Sequence, residues 1–159
     1  MKTIFKLKAL SIASLLYLSS SPVWANQIVL EGSDATSFHH DGTYTSQLFT
    51  YMQGSSSDPT LPVLVMGTGG TLSGAFATDS SKTVYNSTYS LSGFILSDYS
   101  GLYIQSPGGC CGAPDGSTSI SLADQAAIAL AETKGMSLTI QNYGGCSATI
   151  TLSGRRQLS

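Results

Sequence analysis

Residues 101–140 read GLYIQSPGGCCGAPDGSTSISLADQAAIALAETKGMSLTI, and this stretch decides the fold class. Gly101-Leu102-Tyr103-Ile104-Gln105 is a short apolar run introduced by Asp98-Tyr99-Ser100, as expected of a strand. The loop from Ser106 to Thr118 carries Pro107, glycines 108, 109 and 112 and the vicinal pair Cys110-Cys111. Ser121 is placed to cap a helix over Leu122 to Thr133. Asp124 lies in its first turn, Leu122, Ala126, Ala129 and Leu130 form its apolar face, and Lys134-Gly135 closes it. Met136-Ser137-Leu138-Thr139-Ile140 is then the next strand. Strand, helix, strand is the signature of a parallel crossover.

The same alternation occurs upstream. Gln27 to Gly32 reads as a buried strand, and Ser33 to Asp41 as a polar loop. A helix follows with Asp41 as N-cap, Tyr44, Leu48, Tyr51 and Met52 on one face, and Gly54 just past its end. Pro62-Val63-Leu64-Val65-Met66-Gly67 is apolar throughout, as strands covered on both faces are. Within Thr68 to Ser97 only Thr83–Tyr85 and Phe94–Leu96 look strand-like, and Ala148 to Leu152 reads as a last short strand. Asn86-Ser87-Thr88 matches a glycosylation sequon, which we read as chance in a chain this rich in Ser and Thr. The expected architecture is α/β, a mostly parallel sheet flanked by helices in three layers. Right-handed crossovers then gather the strand-end loops on one rim: Ser33–Asp41, Gly67–Thr71, Ser106–Gly112 and Tyr143–Cys146.

Composition bounds the function. The chain has 159 residues, 42% hydrophobic and 10% charged, with net charge −2. That is too apolar for disorder, and it lacks the basic footprint of a nucleic-acid binder. Lys2, Lys6 and Lys8, the apolar run Ala9–Leu18 and the small residues of Val23-Trp24-Ala25 predict a signal peptide over residues 1–25. Removing those residues, with three lysines and no acids, leaves 134 residues of net charge −5 and no further stretch of membrane-spanning length. We therefore expect an exported protein, periplasmic or extracellular, with one α/β domain over 26–152 and a polar tail over 153–159.

Several segments resemble the class I glutamine amidotransferase-like fold, nearest to its trehalose-utilisation-type branch. They are Ile28–Gly32 with its loop and helix, Asp98–Ile104 with its glycine loop, Leu122–Ile128, and Lys134–Leu138. The Gly-Gly-Cys-Cys loop and the Asn142-Tyr143-Gly144-Gly145 ending also resemble secreted bacterial proteins. The likeness implies a flavodoxin-like sheet, shortened because the family continues with further strands past Gly144-Gly145. A sheet edge left open that way favours aggregation. Active members place a nucleophilic cysteine in the turn after the strand corresponding to Met136–Ile140. Here that turn reads Gln141-Asn142-Tyr143-Gly144-Gly145, no histidine follows His40, and no acid follows Glu132. The likeness therefore implies the fold without the catalytic triad.

The candidate sites follow from the rim. Ser33, Asp34, His39 and Tyr143 form the expected ligand rim of a non-catalytic module binding a small polar ligand, a glycan or a protein partner. The tyrosines and hydroxyl residues are equally ordinary for a weakly charged exported surface. The alternative is a secreted hydrolase with Cys110 or Ser33 as nucleophile and His39 or His40 as base. In an oxidising compartment Cys111, or else Cys110, is expected to bridge to Cys146 if the strands before them are neighbours, with a strained Cys110–Cys111 bond as the competing pairing. One histidine with Asp34 and a cysteine would suit zinc, but a polar loop closed by the Asp41 cap is the plainer reading, and no metal or cofactor is expected.

Overall fold

The two most apolar runs lie at the middle of a parallel sheet, where both faces are covered. β2 (Val63–Met66) and β4 (Gly101–Ile104) are buried at every position and pair in register, Val63 beside Gly101 and Met66 beside Ile104. The computed structural model describes residues 28–32, 35–36, 39–67, 72, 74, 76–107, 117–141 and 149–152. Within them the order is β1 (Ile28–Glu31), α1 (Gly42–Gly54), β2, β3 (Thr83–Asn86), a 3-10 turn (Leu96–Asp98), β4, β5 (Ser117–Ile120), α2 (Leu122–Thr133), β6 (Ser137–Gln141) and β7 (Thr149–Leu152). Five strands form one sheet in the order β1-β6-β4-β2-β3, and β5 pairs with β7 in a second. Every pairing is parallel. None of the described helices is long and apolar enough to cross a membrane.

Side chains alternate between two cores, as the pleat requires. Val63, Val65 and Tyr103 pack with Leu48, Phe49 and Met52 of α1 and with Leu72 and Ala77. Phe49 lies edge-on to Phe76 at 5.6 Å and tilted on Tyr103 at 5.5 Å, centroid to centroid. Leu64, Met66, Leu102, Ile104 and Leu138 pack on the other face with Ile128 and Ala131 of α2, Met136, Leu91 and Leu96. The two faces follow from handedness. Connections running from the β1 edge towards β3 cross the α1 face, and those running back cross the α2 face, as right-handed crossovers must. Counted from β2, with β1 taken last, the strands lie in the flavodoxin-like order 2-1-3-4-5. The α/β architecture is as expected, and its strand order is a circular permutation of that arrangement.

Both helix caps form as read. Asp41 Oδ1 accepts the Thr43 and Tyr44 N–H groups at 3.0 and 2.9 Å, and Ser121 Oγ accepts the Asp124 N–H at 3.1 Å. The buried stripes differ from those expected. On α1 it is Thr45, Leu48, Phe49 and Met52, while Tyr51 is exposed, because Phe49 takes the place against Tyr103. On α2 it is Ile128, Ala131 and Glu132, while Leu122 and Leu130 are exposed. The α2 sequence is apolar around most of its circumference, so its own periodicity does not select a face. β1 is an edge strand with Ile28 and Leu30 exposed, rather than a buried one, and 94–96 leads into the 3-10 turn instead of forming a strand. Asn86 is buried, with its amide donating to Ser90 O and its Oδ1 accepting from Thr88, which makes the sequon a turn device.

Gly101 lies where β4, β6 and α1 pack closely. A Cβ there would collide with the Ser137 hydroxyl of the adjacent strand and the Met52 methyl of α1, whereas a Cβ on Gly32 would meet nothing. Gly101→Ala should therefore lower the free energy of unfolding by about 1–3 kcal/mol through overpacking. Gly32→Ala should change it by less than about 0.5 kcal/mol. Urea denaturation of both variants checks the pair.

Candidate functional site

The strands are parallel, so their C-terminal ends share one edge, and three of them end in, or are followed directly by, Glu or Gln. Glu31 closes β1, Gln141 closes β6 opposite it, and Gln105 follows β4 one step beyond the Ile104–Ile140 pair. By strand alternation all three belong to the α1 face, with Tyr103 one layer below. Gly67 continues this row after β2. Its N–H donates to Asn86 O and its φ of 130° is left-handed, a conformation open to glycine. A side chain there would strike the Tyr89 ring, whose hydroxyl donates to Gln105 O at 3.0 Å.

The row is tied together by a hydrogen-bond chain with one direction. Tyr103 OH donates to Glu31 Oε2 at 2.6 Å, which uses its only proton. Thr36 Oγ1 donates to Glu31 Oε1 at 3.3 Å and lies 2.5 Å from the same phenol oxygen, so its one proton is shared between the carboxylate and the phenol. Gln141 Nε2 donates to Thr36 Oγ1 at 3.0 Å, and Gln141 Oε1 accepts the Ser106 N–H at 3.1 Å. Each step points towards the Glu31 carboxyl. Glu31, Thr36, Tyr103, Gln141 and Ser106 are all buried. Burial, and after it the charge and hydrogen bond of Glu31, raises the Tyr103 phenol far above the usual tyrosine range. Tyr44 is raised by burial first and by Glu31 second.

At β2 and β4 the chain leaves adjacent strands in opposite directions, over the α1 face after β2 and over the α2 face after β4. Such a switch point is where open parallel sheets bind ligands, in the crevice outside the strand ends. Ser106, fully buried just after β4, has a hydroxyl without a hydrogen-bond partner among the described residues. A buried hydroxyl in that condition costs about 1–3 kcal/mol, so it is a feature that calls for a ligand or water atom.

Of the expected rim, His39 and His40 are both exposed in the turn before α1, His40 with a left-handed φ of 51°. They flank the segment that carries Thr36 but lie outside the buried cluster. Ser33, Asp34, Tyr143, Cys110, Cys111 and Cys146 lie outside the described residues. The condition set for the disulfide does hold, since β4 and β6 are neighbours. Glu31, Thr36, Gln105, Ser106 and Gln141 are rim residues that the sequence reading did not single out. Their signal was present: three apolar runs each close on Glu or Gln.

Tyr103→Phe should cost about 1–3 kcal/mol, because Glu31 stays buried and loses the phenol donor. The raised phenol also sets a sign. Its contribution is complete below the unfolded tyrosine pKa near 10 and is lost as pH rises above it, at up to about 1.4 kcal/mol per pH unit. The deficit of the variant should therefore shrink above pH 10 in unfolding titrations, whereas a constant deficit would mean that Tyr103 titrates normally. In comparisons with known proteins, no family model matches the chain, and neither a curated protein nor a solved structure does.

Proposed function

We propose that this chain is an exported, non-catalytic α/β module that binds a small polar ligand at the C-terminal rim of its sheet. The observation that carries the reading is the buried Ser106 hydroxyl, partnerless among the described residues, at the β2–β4 switch point beside the Glu31–Gln141–Gln105 row. Buried polar groups are tolerated only when satisfied, and a ligand with hydroxyl or amide groups matches amide side chains and a lone hydroxyl better than an apolar one. The directional chain holds the row in one geometry before any ligand arrives, which lowers the ordering cost of binding. Export follows from the basic, apolar and small-residue pattern of residues 1–25. The fold is read as amidotransferase-like with the triad missing, and its rim as stapled by Cys111–Cys146 or Cys110–Cys146. Non-reducing mass spectrometry of the exported protein should find one such bridge, and three free thiols would exclude it.

Ser106→Ala separates binding from stability. Removing a buried, unsatisfied hydroxyl should leave the unliganded fold as stable or slightly more so. Calorimetry against a panel of neutral sugars, amino acids and nucleosides should find one class that binds, with affinity about tenfold lower in the variant, the effect of one hydrogen bond. Binding unaffected by the substitution would move the site elsewhere. Ester or amide hydrolysis abolished by His39→Ala or His40→Ala would replace this reading with the hydrolase.

A further inference from the structure

Glu31, Thr36 and Tyr103 form a closed ring that has a place for one more proton. Its three sides are Tyr103 OH to Glu31 Oε2 at 2.6 Å, Tyr103 OH to Thr36 Oγ1 at 2.5 Å, and Thr36 Oγ1 to Glu31 Oε1 at 3.3 Å. With Glu31 as a carboxylate, the phenol and the threonine hydroxyl bring two protons to three sides. Thr36 then shares its proton, and its side to Glu31 is the long one. A proton on Glu31 Oε1 removes the shortage. Oε1 donates to Thr36, Thr36 to Tyr103 and Tyr103 to Oε2, so each side carries one proton without any change of partners. Thr36 Oγ1 has two lone pairs, and it still accepts from Gln141 Nε2. Burial favours the same state. Glu31 is 3% exposed, Thr36 and Tyr103 are fully buried, and desolvation penalises the charged form of a carboxyl.

We propose that Glu31 is a proton switch in the rim: its acid form closes the ring with one proton per side, and its carboxylate form loosens the Thr36 corner. The switch operates whether or not the rim takes a ligand. Among the described residues, β4 faces Glu31 with the Tyr103 phenol, β6 with the uncharged Gln141, and α1 with the Tyr44 phenol, which feels the Glu31 charge. An ordinary phenol ionises only near pH 10, and burial raises both of these further. His39 and His40 are exposed, Asp41 is committed to the α1 cap, and Lys82 and Lys134 precede β3 and β6 at the opposite edge of the sheet. Gln141 joins Thr36 to the Ser106 N–H, so the corner that loosens is one amide away from the turn after β4. The sign of the effect follows. A carboxyl that folding keeps protonated gives up stability as pH rises from its unfolded value, near about 4.3, through its folded one, because the unfolded chain has already released the proton.

Glu31→Gln tests the switch, since the amide places a donor and an acceptor at the two oxygen positions and does not ionise. Urea denaturation of wild type and variant from about pH 4 to about pH 8 gives the ratio of their unfolding equilibrium constants. Above about pH 4.3 the wild type should unfold progressively more readily than the variant, by up to about tenfold per pH unit. Asp58 and Asp79, held below the usual carboxylate range by their turn hydrogen bonds, act alike in both proteins and cancel in the ratio. A ratio that is constant with pH, or that moves the other way, overturns the proposal. Should the variant fail to fold, carbon-13 labelling of glutamate in the wild-type protein decides it. The chain has only two glutamates, Glu31 and Glu132, so their carboxyl resonances can be followed separately. The Glu31 carboxyl should titrate with a midpoint above about 4.3, and a midpoint at or below that value overturns the proposal.

Discussion

The 2.6 Å hydrogen bond from Tyr103 to Glu31 joins strands that are not neighbours, because β6 lies between β4 and β1. The orientations of Thr36 and Gln141 follow from it. Once the phenol proton is committed to the carboxyl, the Thr36 proton is directed at the phenol and the carboxyl together, Gln141 presents its NH₂ to Thr36, and the Gln141 oxygen faces the Ser106 N–H. One assignment thus orients an amide and two hydroxyls, and ties Thr36 to the sheet. The ring of Tyr103 is at the same time a centre of the α1-face core, against Phe49. A single side chain therefore links apolar packing to the polar end of the sheet.

The permuted strand order has consequences on both faces. Taking the first strand of the chain as the last strand of the sheet leaves the switch point at β2 and β4, where it belongs for a flavodoxin-like order. It also places α1 across the face that carries Tyr103 and Glu31, with Thr36 between β1 and α1 bonded into the rim cluster. The same permutation removes the connection that would shield β1 on the other face. The rim and the bare edge are two results of one topological choice.

Short-range chemistry handles the long connections. Asp58-Pro59-Thr60, Asp79-Ser80-Ser81 and Asn86-Ser87-Thr88 each fold the first side chain onto the N–H and hydroxyl of the third residue. These local bonds hold the Asp58 and Asp79 carboxyls below the usual carboxylate range, side-chain donors contributing most. The Asp58 turn leads into β2, and the Asp79 and Asn86 turns lie between β2 and β4, a segment with little regular secondary structure that periodicity alone could not place.

What the sequence determined by itself was local: the apolar runs, the Asp41 and Ser121 caps, the glycine-marked ends and the alternation of strand and helix. Each follows from backbone propensity or from hydrogen bonds a few residues apart, which adjacent residues are enough to specify. Strand order, the buried stripe of each helix and the rim cluster were decided only in the tertiary structure. Glu31, Thr36, Tyr103, Ser106 and Gln141 come from both ends and the middle of the chain, and no spacing links them. The sheet brings them together because parallel pairing aligns its strand ends on one edge, where a residue that merely closes a strand in the sequence becomes part of a shared buried network.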